Sequence, residues 1–271
     1  MVIAKHEFLN IAHRGASGYC PENTMSAFNR AGELGIKWME CDVRLTEDNQ
    51  VVVIHDQTVD RTTDGSGAVS GFKLQDLQKL DAGAWFSPEF EGEQIPTLVQ
   101  LLDGLGSQCQ LVVEIKDGIY FPRIIELTVS QILERGLESR VQISAFSWEV
   151  LVGVKELCPQ IKTQALIAYG EEGTRGATVD GGEIPIYSDP QTLLRDASSY
   201  GVDVVCPPAA WIERSLVSIL HQGGFLVRAW GVKDDASAEM LRLIEAGADG
   251  MTTNFPDRLE LIFASFQNRR G

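Results

Sequence analysis

The sequence predicts an α/β protein, a (β/α)8 TIM barrel with a small insertion between strand two and its helix. Two observations carry that reading. Short β-branched or aliphatic runs recur along the chain, each followed by a longer segment of helical periodicity, which implies parallel strands joined by crossover helices. Eight such pairs fit within 271 residues, a length at which one α/β barrel is ordinary. The 44% hydrophobic content leaves material for a substantial core.

In chain order the strand candidates are Leu9–Ala12, Trp38–Val43, Leu111–Ile115, Val141–Ser144, Lys162–Ile167, Val202–Cys206, Leu226–Trp230 and Gly250–Thr252. Helices are expected over Thr24–Leu34, with Asn23 as its cap and Gly35 as its stop, and then over Thr97–Leu105, Phe121–Arg135 and Trp148–Leu157. Further helices are expected over Gln191–Tyr200, Ile212–Gln222, Ala236–Ala246 and Pro256–Gln267. One stretch breaks the rhythm: Asn49–Ile95 carries an extra apolar run, Val51–Ile54, and then turn-rich sequence. It reads as the insertion, so residues 1–271 are expected to form one domain that contains it. Tyr169–Asp189, rich in Gly and acidic residues, is a second irregular stretch and follows the fifth strand. Barrel active sites lie at the C-terminal strand ends, so both stretches would border the mouth. Pro88–Gln94 and Tyr169–Asp189 are the loops expected to set specificity.

Charge narrows the partners. With 38 Asp and Glu against 23 Lys and Arg the net charge is −15, which disfavours nucleic acid and stable docking on anionic membranes. No run of about 18 apolar residues occurs, and MVIAKHEFLNIAHRG lacks a signal-length apolar stretch with a cleavage site. A cytoplasmic protein with no membrane anchor and a soluble small-molecule substrate is expected. The five cysteines, odd in number and without paired metal-ligand spacing, read as free buried thiols.

Several polar residues stand where a barrel keeps its chemistry. His13 and Arg14 follow the apolar Asn10–Ala12 and precede Gly15, placing two polar side chains at a strand end. Glu40 and Asp42 flank Cys41 inside an apolar strand, so both face one side, about 6.6 Å apart. Two carboxylates on one buried face call for a cation, and oxygen ligands suit Mg2+ or Ca2+ better than zinc. Glu114 and Lys116 repeat the spacing in LVVEIK. Alone they would equally suit a structural ion pair, but with Glu40 and Asp42 they could hold one divalent cation and a phosphate oxygen. His55 ends the run VVVIHD, and two imidazoles across a small site can serve as base and acid for one displacement. His6 and His221 lie in polar or helical settings and read as structural.

Taken together, these strings resemble the glycerophosphodiester phosphodiesterase family. HRGAS (13–17), PENT (21–24), ECDVRLTED (40–48), VVVIHD (51–56), RTTDGSGAV (61–69), LDAGAWF (80–86), IPTL (95–98) and EIK (114–116) stand in the family's order. SAFS (144–147), AWGV (229–232) and GADGMTTNFPDRL (247–259) extend the match over nearly the whole chain. The resemblance implies a (β/α)8 barrel that hydrolyses glycerophosphodiesters to an alcohol and sn-glycerol 3-phosphate with one divalent cation. By motif, His13 and His55 resemble the acid-base pair; Glu40, Asp42 and Glu114 the metal ligands; Arg14 and Lys116 the phosphate-binding residues; Phe146 and Trp230 the apolar pocket walls. Gly231 and Lys233 replace residues the family often shows as Thr and Asn, which changes the pocket edge rather than the chemistry. Two rival readings share these residues: a lysophospholipase D-like enzyme on the same barrel, and a non-catalytic phosphodiester-binding protein.

Overall fold

The computed structural model describes residues 8–116, 118, 120, 122–170, 177–179, 182–184, 186–233 and 237–269. Strands β1 (Leu9–Ala12), β2 (Trp38–Leu45), β3 (Val51–Val53), β4 (Gln110–Ile115), β5 (Val141–Ala145) and β6 (Lys162–Leu166) come first. They are followed by the short β7 (Ala168–Tyr169), β8 (Ala177–Val179), β9 (Gly182–Ile184) and β10 (Ile186–Tyr187), and by β11 (Val204–Cys206), β12 (Leu226–Ala229) and β13 (Gly250–Thr253). The helices are α1 (Met25–Glu33), α2 (Leu74–Leu77), α3 (Leu98–Gly104), α4 (Arg123–Leu133), α5 (Trp148–Leu157), α6 (Pro190–Tyr200), α7 (Arg214–Gln222), α8 (Ser237–Ala246) and α9 (Pro256–Asn268).

Eight parallel strands in the order β1, β2, β4, β5, β6, β11, β12, β13 close on themselves, because β1 pairs with both β13 and β2. This is the (β/α)8 barrel, with helices between successive strands. Residues on the outward faces, such as Cys41, Val43, Val113, Ile143, Ala165, Val205, Val227 and Met251, join the helices' apolar faces in one continuous core. The inward faces carry a smaller apolar cluster, Leu166, Val204 and Cys206, against which Phe146, Leu226 and Trp230 pack.

The insertion lies between β2 and α3. Its β3 is antiparallel to β2, with Val51 opposite Leu45 and Val53 opposite Val43. Beyond it, Val52, Ile54, Val59, Val69, Leu77, Ala82 and Ile95 bury a core of their own, so this segment is packed rather than draped on the barrel.

Some boundaries differ from the sequence expectation. The cap of α1 is Thr24, whose side chain accepts from the Ala27 amide, and not Asn23. The strand expected from Val202 begins at Val204, and the helix expected from Ile212 begins at Arg214, after a 3-10 turn over Ala209–Trp211. The Tyr169–Asp189 stretch is not wholly irregular: β7 pairs with β10 in parallel and β8 with β9 antiparallel. Phe121 and Ala236, expected at helix starts, and His6 lie outside the described residues. The five cysteines are free, four buried and Cys109 half-buried. His221 is held by Asp249, Nε2 to Oδ2 2.7 Å, away from the strand ends that carry the other histidines. Among the described residues no helix is long and apolar enough to cross a membrane.

Candidate active site

The two-residue spacing in β2 turns Glu40 and Asp42 inward, and the parallel register sets Asp42 directly beside Glu114 of β4. One oxygen from each of Glu40, Asp42 and Glu114 lies within 4.8 Å of the others. Burial is deep, with Glu40 4% and Asp42 1% exposed. Burial and the neighbouring charges of Asp42 and Glu114 push the Glu40 carboxyl well above its ordinary value. Asp42 goes the other way: the Lys116 and Arg14 cations outweigh its burial and hold it well below the usual carboxylate range. Lys116 Nζ lies 2.5 Å from Glu114 Oε1 and 3.3 Å from Asp42 Oδ1. Glu40 Oε1 is buried without a hydrogen-bond donor, and Asp42 Oδ1 has only the Lys116 ammonium at 3.3 Å. Three carboxylates against two side-chain cations leave negative charge unbalanced. An all-oxygen donor set with the buried Glu40 Oε1 left undonated fits a hard divalent ion.

Arg14 reaches this cluster through an unusual backbone. It adopts φ 56° and Gly15 follows at φ 79°, where a Cβ would stand 2.6 Å from the Ala27 carbonyl carbon. Only glycine fits there, and the turn aims the Arg14 amide at Glu40 Oε2, 2.9 Å away. The guanidinium Nε lies 3.2 Å from Asp42 Oδ2, and Nη1 donates to Glu22 Oε1 at 2.7 Å. Asn23, also left-handed at φ 59°, donates its amide N–H to the Arg14 carbonyl and its Nδ2 to Asp42 Oδ2 at 2.9 Å. The residue that sequence reasoning placed as a helix cap therefore holds a carboxylate of the cluster.

Strand register also orients His13. Ala12 is the partner of Thr253, so the next residues, His13 and Asn254, emerge side by side. With its proton on Nδ1, His13 donates to Asn254 Oδ1 at 2.7 Å and presents Nε2 as an acceptor. Burial and the Arg14 charge push this imidazole down to about 4. His55 stands where the β3 hairpin returns the chain, because the Ile54 amide donates to the Asp42 carbonyl and Arg44 Nε donates to the His55 carbonyl at 2.7 Å. Its Nδ1 meets Asp56 Oδ1 at 2.6 Å, and burial likewise lowers its pKa.

A chain of ion pairs ties the two sides together. Arg61, from the insertion, takes Asp56 through Nε (2.6 Å) and Nη2 (3.1 Å), and Glu22 through Nη1 (2.8 Å) and Nη2 (2.7 Å). Glu22 in turn holds Arg14. Glu22, Arg61 and Asn254 were given no role by sequence reasoning, and Asn23 only that of a helix cap, although each lies within a motif already noted: PENT, RTTDGSGAV or GADGMTTNFPDRL. Phe146 and Trp230 stand across the barrel, their rings edge to face at 5.3 Å, and the Trp230 indole donates to the Ile167 carbonyl at 3.2 Å. The structure thus brings together the two histidines, the three carboxylates and the two cations at one end of the barrel, with the aromatic pair on its wall.

Comparison with known proteins bears on this arrangement. The model of the glycerophosphoryl diester phosphodiesterase family matches residues 13–258. The glycerophosphodiester phosphodiesterase of Caldanaerobacter subterraneus subsp. tengcongensis is 39% identical over 93% of this chain and 96% of its own length. A protein of the same name from Bacillus subtilis is 30% identical over 94% of this chain and 86% of its own. Among solved structures, an Oleispira antarctica phosphodiesterase in complex with the product sn-glycerol-3-phosphate superposes with a TM-score of 0.77. It is 27% identical, over 94% of this chain and 96% of that one. With a matched span that runs from His13 past Asn254 and so encloses every residue of the site, the chain belongs to the glycerophosphoryl diester phosphodiesterase family.

Proposed function

We propose that this chain, a phosphoric diester hydrolase by its family, hydrolyses glycerophosphodiesters to an alcohol and sn-glycerol 3-phosphate, using one divalent cation and two histidines. The observation that carries the reading is the joint placement of three clustered carboxylates, two cations and two Nδ1-anchored imidazoles at one barrel mouth. The neighbour solved with sn-glycerol-3-phosphate supports the product assignment. Glu40, Asp42 and Glu114 would hold the ion, Mg2+ or Ca2+, which when bound supplies positive charge to a phosphate oxygen.

The rest falls to the chain's own side chains. Arg14 and Lys116 meet the phosphate, whose charge is present in the ground state and redistributes in the transition state. One of His13 and His55 takes the proton of the nucleophile and the other protonates the leaving alkoxide. The nucleophile is either water or the substrate's own glycerol 2-hydroxyl. The second route gains from proximity and expels the alcohol to leave a cyclic phosphate; it then needs water to attack phosphorus and break the bond to O2, giving glycerol 3-phosphate. Phe146 and Trp230 wall the pocket. Residues 1–271 act as one domain with the 49–95 insertion inside it, supplying His55 and Arg61, and the setting is cytoplasmic, with no nucleic-acid partner.

The test is release of glycerol 3-phosphate from glycerophosphocholine, glycerophosphoethanolamine, glycerophosphoinositol and a lysophospholipid, before and after chelation. Chelated protein should lose activity, and Mg2+ or Ca2+ should restore it in the wild type but far less in Asp42→Asn. Full activity after exhaustive chelation, with no metal by elemental analysis, would remove the ion from the reading. Turnover of the lysophospholipid in preference to the soluble diesters would favour the lysophospholipase D-like alternative.

A further inference from the structure

The mouth has two unlike sides. Against the charged side formed by β1, β2 and β4 stands an aromatic side built on β6, β11 and β12. Tyr169 follows the end of β6, and Trp211 closes the 3-10 turn after β11, a neighbouring strand. Both are tied to Trp230: its indole donates to Ile167, two residues before Tyr169, and its carbonyl accepts from the Ala209 amide, two residues before Trp211. The Tyr169 and Trp211 rings meet at 60° with centroids 5.8 Å apart, forming a corner, and Trp211 is 41% exposed although large and apolar. The Tyr169 hydroxyl is fixed by donation to the Ser188 carbonyl at 3.1 Å.

Two carboxylates border this corner. Asp189 and Glu213 are exposed, and after burial their charges are the causes that raise the Tyr169 phenol. Asp189 is held in place by accepting the Gln191 and Thr192 amides. The adjacent cation, Arg214, is turned away, with Nη2 donating to the Glu245 carbonyl at 2.7 Å. Arg195 acts on Asp189, but two carboxylates against this one cation leave net negative charge beside the angled aromatic faces, an arrangement that attracts an organic cation.

We propose that Tyr169 and Trp211, flanked by Asp189 and Glu213, form a subsite for a positively charged alcohol head group, so that the favoured diesters carry a quaternary ammonium or ammonium group. The inference rests on the hydrolase reading above and names the substrate class of the same site. The phosphate sits among Arg14, Lys116 and the carboxylates, and the cationic end of the leaving alcohol lies toward the aromatic corner.

The experiment measures kcat/KM for glycerophosphocholine and for the uncharged-head diester glycerophosphoglycerol in wild type, Trp211→Ala, Trp211→Phe and Glu213→Gln. The wild type should favour the choline diester about tenfold, a ratio of the size that ring-cation contacts supply. Trp211→Ala should erase most of that ratio, mainly through KM for the choline diester. Trp211→Phe should keep most of it, and Glu213→Gln should lower it severalfold. Tetramethylammonium should compete with the choline diester in wild type and not in Trp211→Ala. A wild-type ratio near one, or a ratio unchanged in Trp211→Ala, overturns the subsite while leaving the hydrolase reading intact. Absence of turnover with either diester overturns the hydrolase reading and the subsite with it.

Discussion

The same inward columns of the barrel end in two different chemistries. Up β2 the inward residues include Trp38, Glu40 and Asp42; up β12 they are Leu226 and Arg228, with Trp230 next in the same column just past the strand. At the mouth the cations are matched by carboxylates: the half-buried Arg14 by Glu22 and Asp42, the buried Lys116 by Asp42 and Glu114. At the floor, Arg228 is buried with no carboxylate oxygen within 4.0 Å among the described residues. Its Nη1 donates to Gln142 Oε1 at 2.8 Å, which also accepts from Gln164 Nε2, and its guanidinium lies 5.7 Å from the Trp38 ring centroid. Desolvation lowers its pKa, though an arginine remains charged. A cavity opens at this end too, lined by Trp38, Gln110, Glu138, Gln142, Lys162, Arg228 and Asp249 among others; neither carboxylate pairs with Arg228, and Asp249 is held by His221. Burial of charge is therefore common to both ends, and what distinguishes the mouth is dense, mutually constrained charge of both signs.

The largest effects should come from the mouth. His13→Ala and His55→Ala are each expected to lose at least about 100-fold in kcat while remaining folded, because each removes one proton-transfer partner. Near-normal turnover in either folded variant would break the two-histidine assignment. Arg14→Met should lower both rate and glycerol 3-phosphate affinity. In metal-free protein it should also cost about 3 kcal/mol, because Asp42 and Glu22 lose a partner. Calorimetry of ligand binding and urea unfolding of the chelated protein check the two parts separately.

A smaller effect is expected from Arg61, which touches neither cluster nor imidazole yet holds the carboxylates that orient Arg14 and His55. Arg61→Ala should lower kcat by about tenfold, with Arg61→Lys only partly restoring it, since a lysine cannot grip two carboxylates bidentately. Arg61 also holds Glu22 and Asp56 below the usual carboxylate range against their burial. Carboxylates with lowered folded-state values contribute stability that is present above about pH 4 and is lost as pH falls through those values. The slope of stability between about pH 5 and 2 should therefore be shallower in Arg61→Ala. An equal slope would mean that the carboxylates are held by something else.

Local pattern explains what the sequence made legible. The strand Leu9–Ala12 and the helix Trp148–Leu157 have the expected bounds because an apolar run or helical periodicity ends abruptly at both limits. The inward pairing of Glu40 with Asp42 follows from the strand period alone. Asn23 was misread because a polar residue before a helix ordinarily caps it; here Thr24 does so, and a left-handed Asn23 turns toward Asp42. The contacts of His13 with Asn254 and of Glu22 with Arg61 join residues 241 and 39 positions apart, and no local signal announces such partners. The short strands within Tyr169–Asp189 escaped for the same reason, since runs of two or three residues reveal themselves only once paired.

The smallest effect, and the sharpest check on the contrast between the two ends, is expected at the floor. Arg228→Met replaces a buried, carboxylate-free guanidinium by an apolar side chain that can follow a similar path. The substitution forfeits the contact with Trp38 and one hydrogen bond to Gln142, but the Gln142 oxygen keeps its donor from Gln164. It also relieves the desolvation of the charge and removes a buried Nε that has no acceptor among the described residues. Those terms oppose one another at a few kcal/mol each, and exchanging buried charge for apolar volume is commonly neutral or stabilising. Stability in urea should accordingly stay within about 1 kcal/mol of wild type or rise, and kcat/KM should be unchanged, in contrast to Arg14→Met at the other end of the same barrel. A loss of about 3 kcal/mol or more in Arg228→Met would show that the floor arginine is compensated as fully as those at the mouth, and the distinction between the two ends would fail.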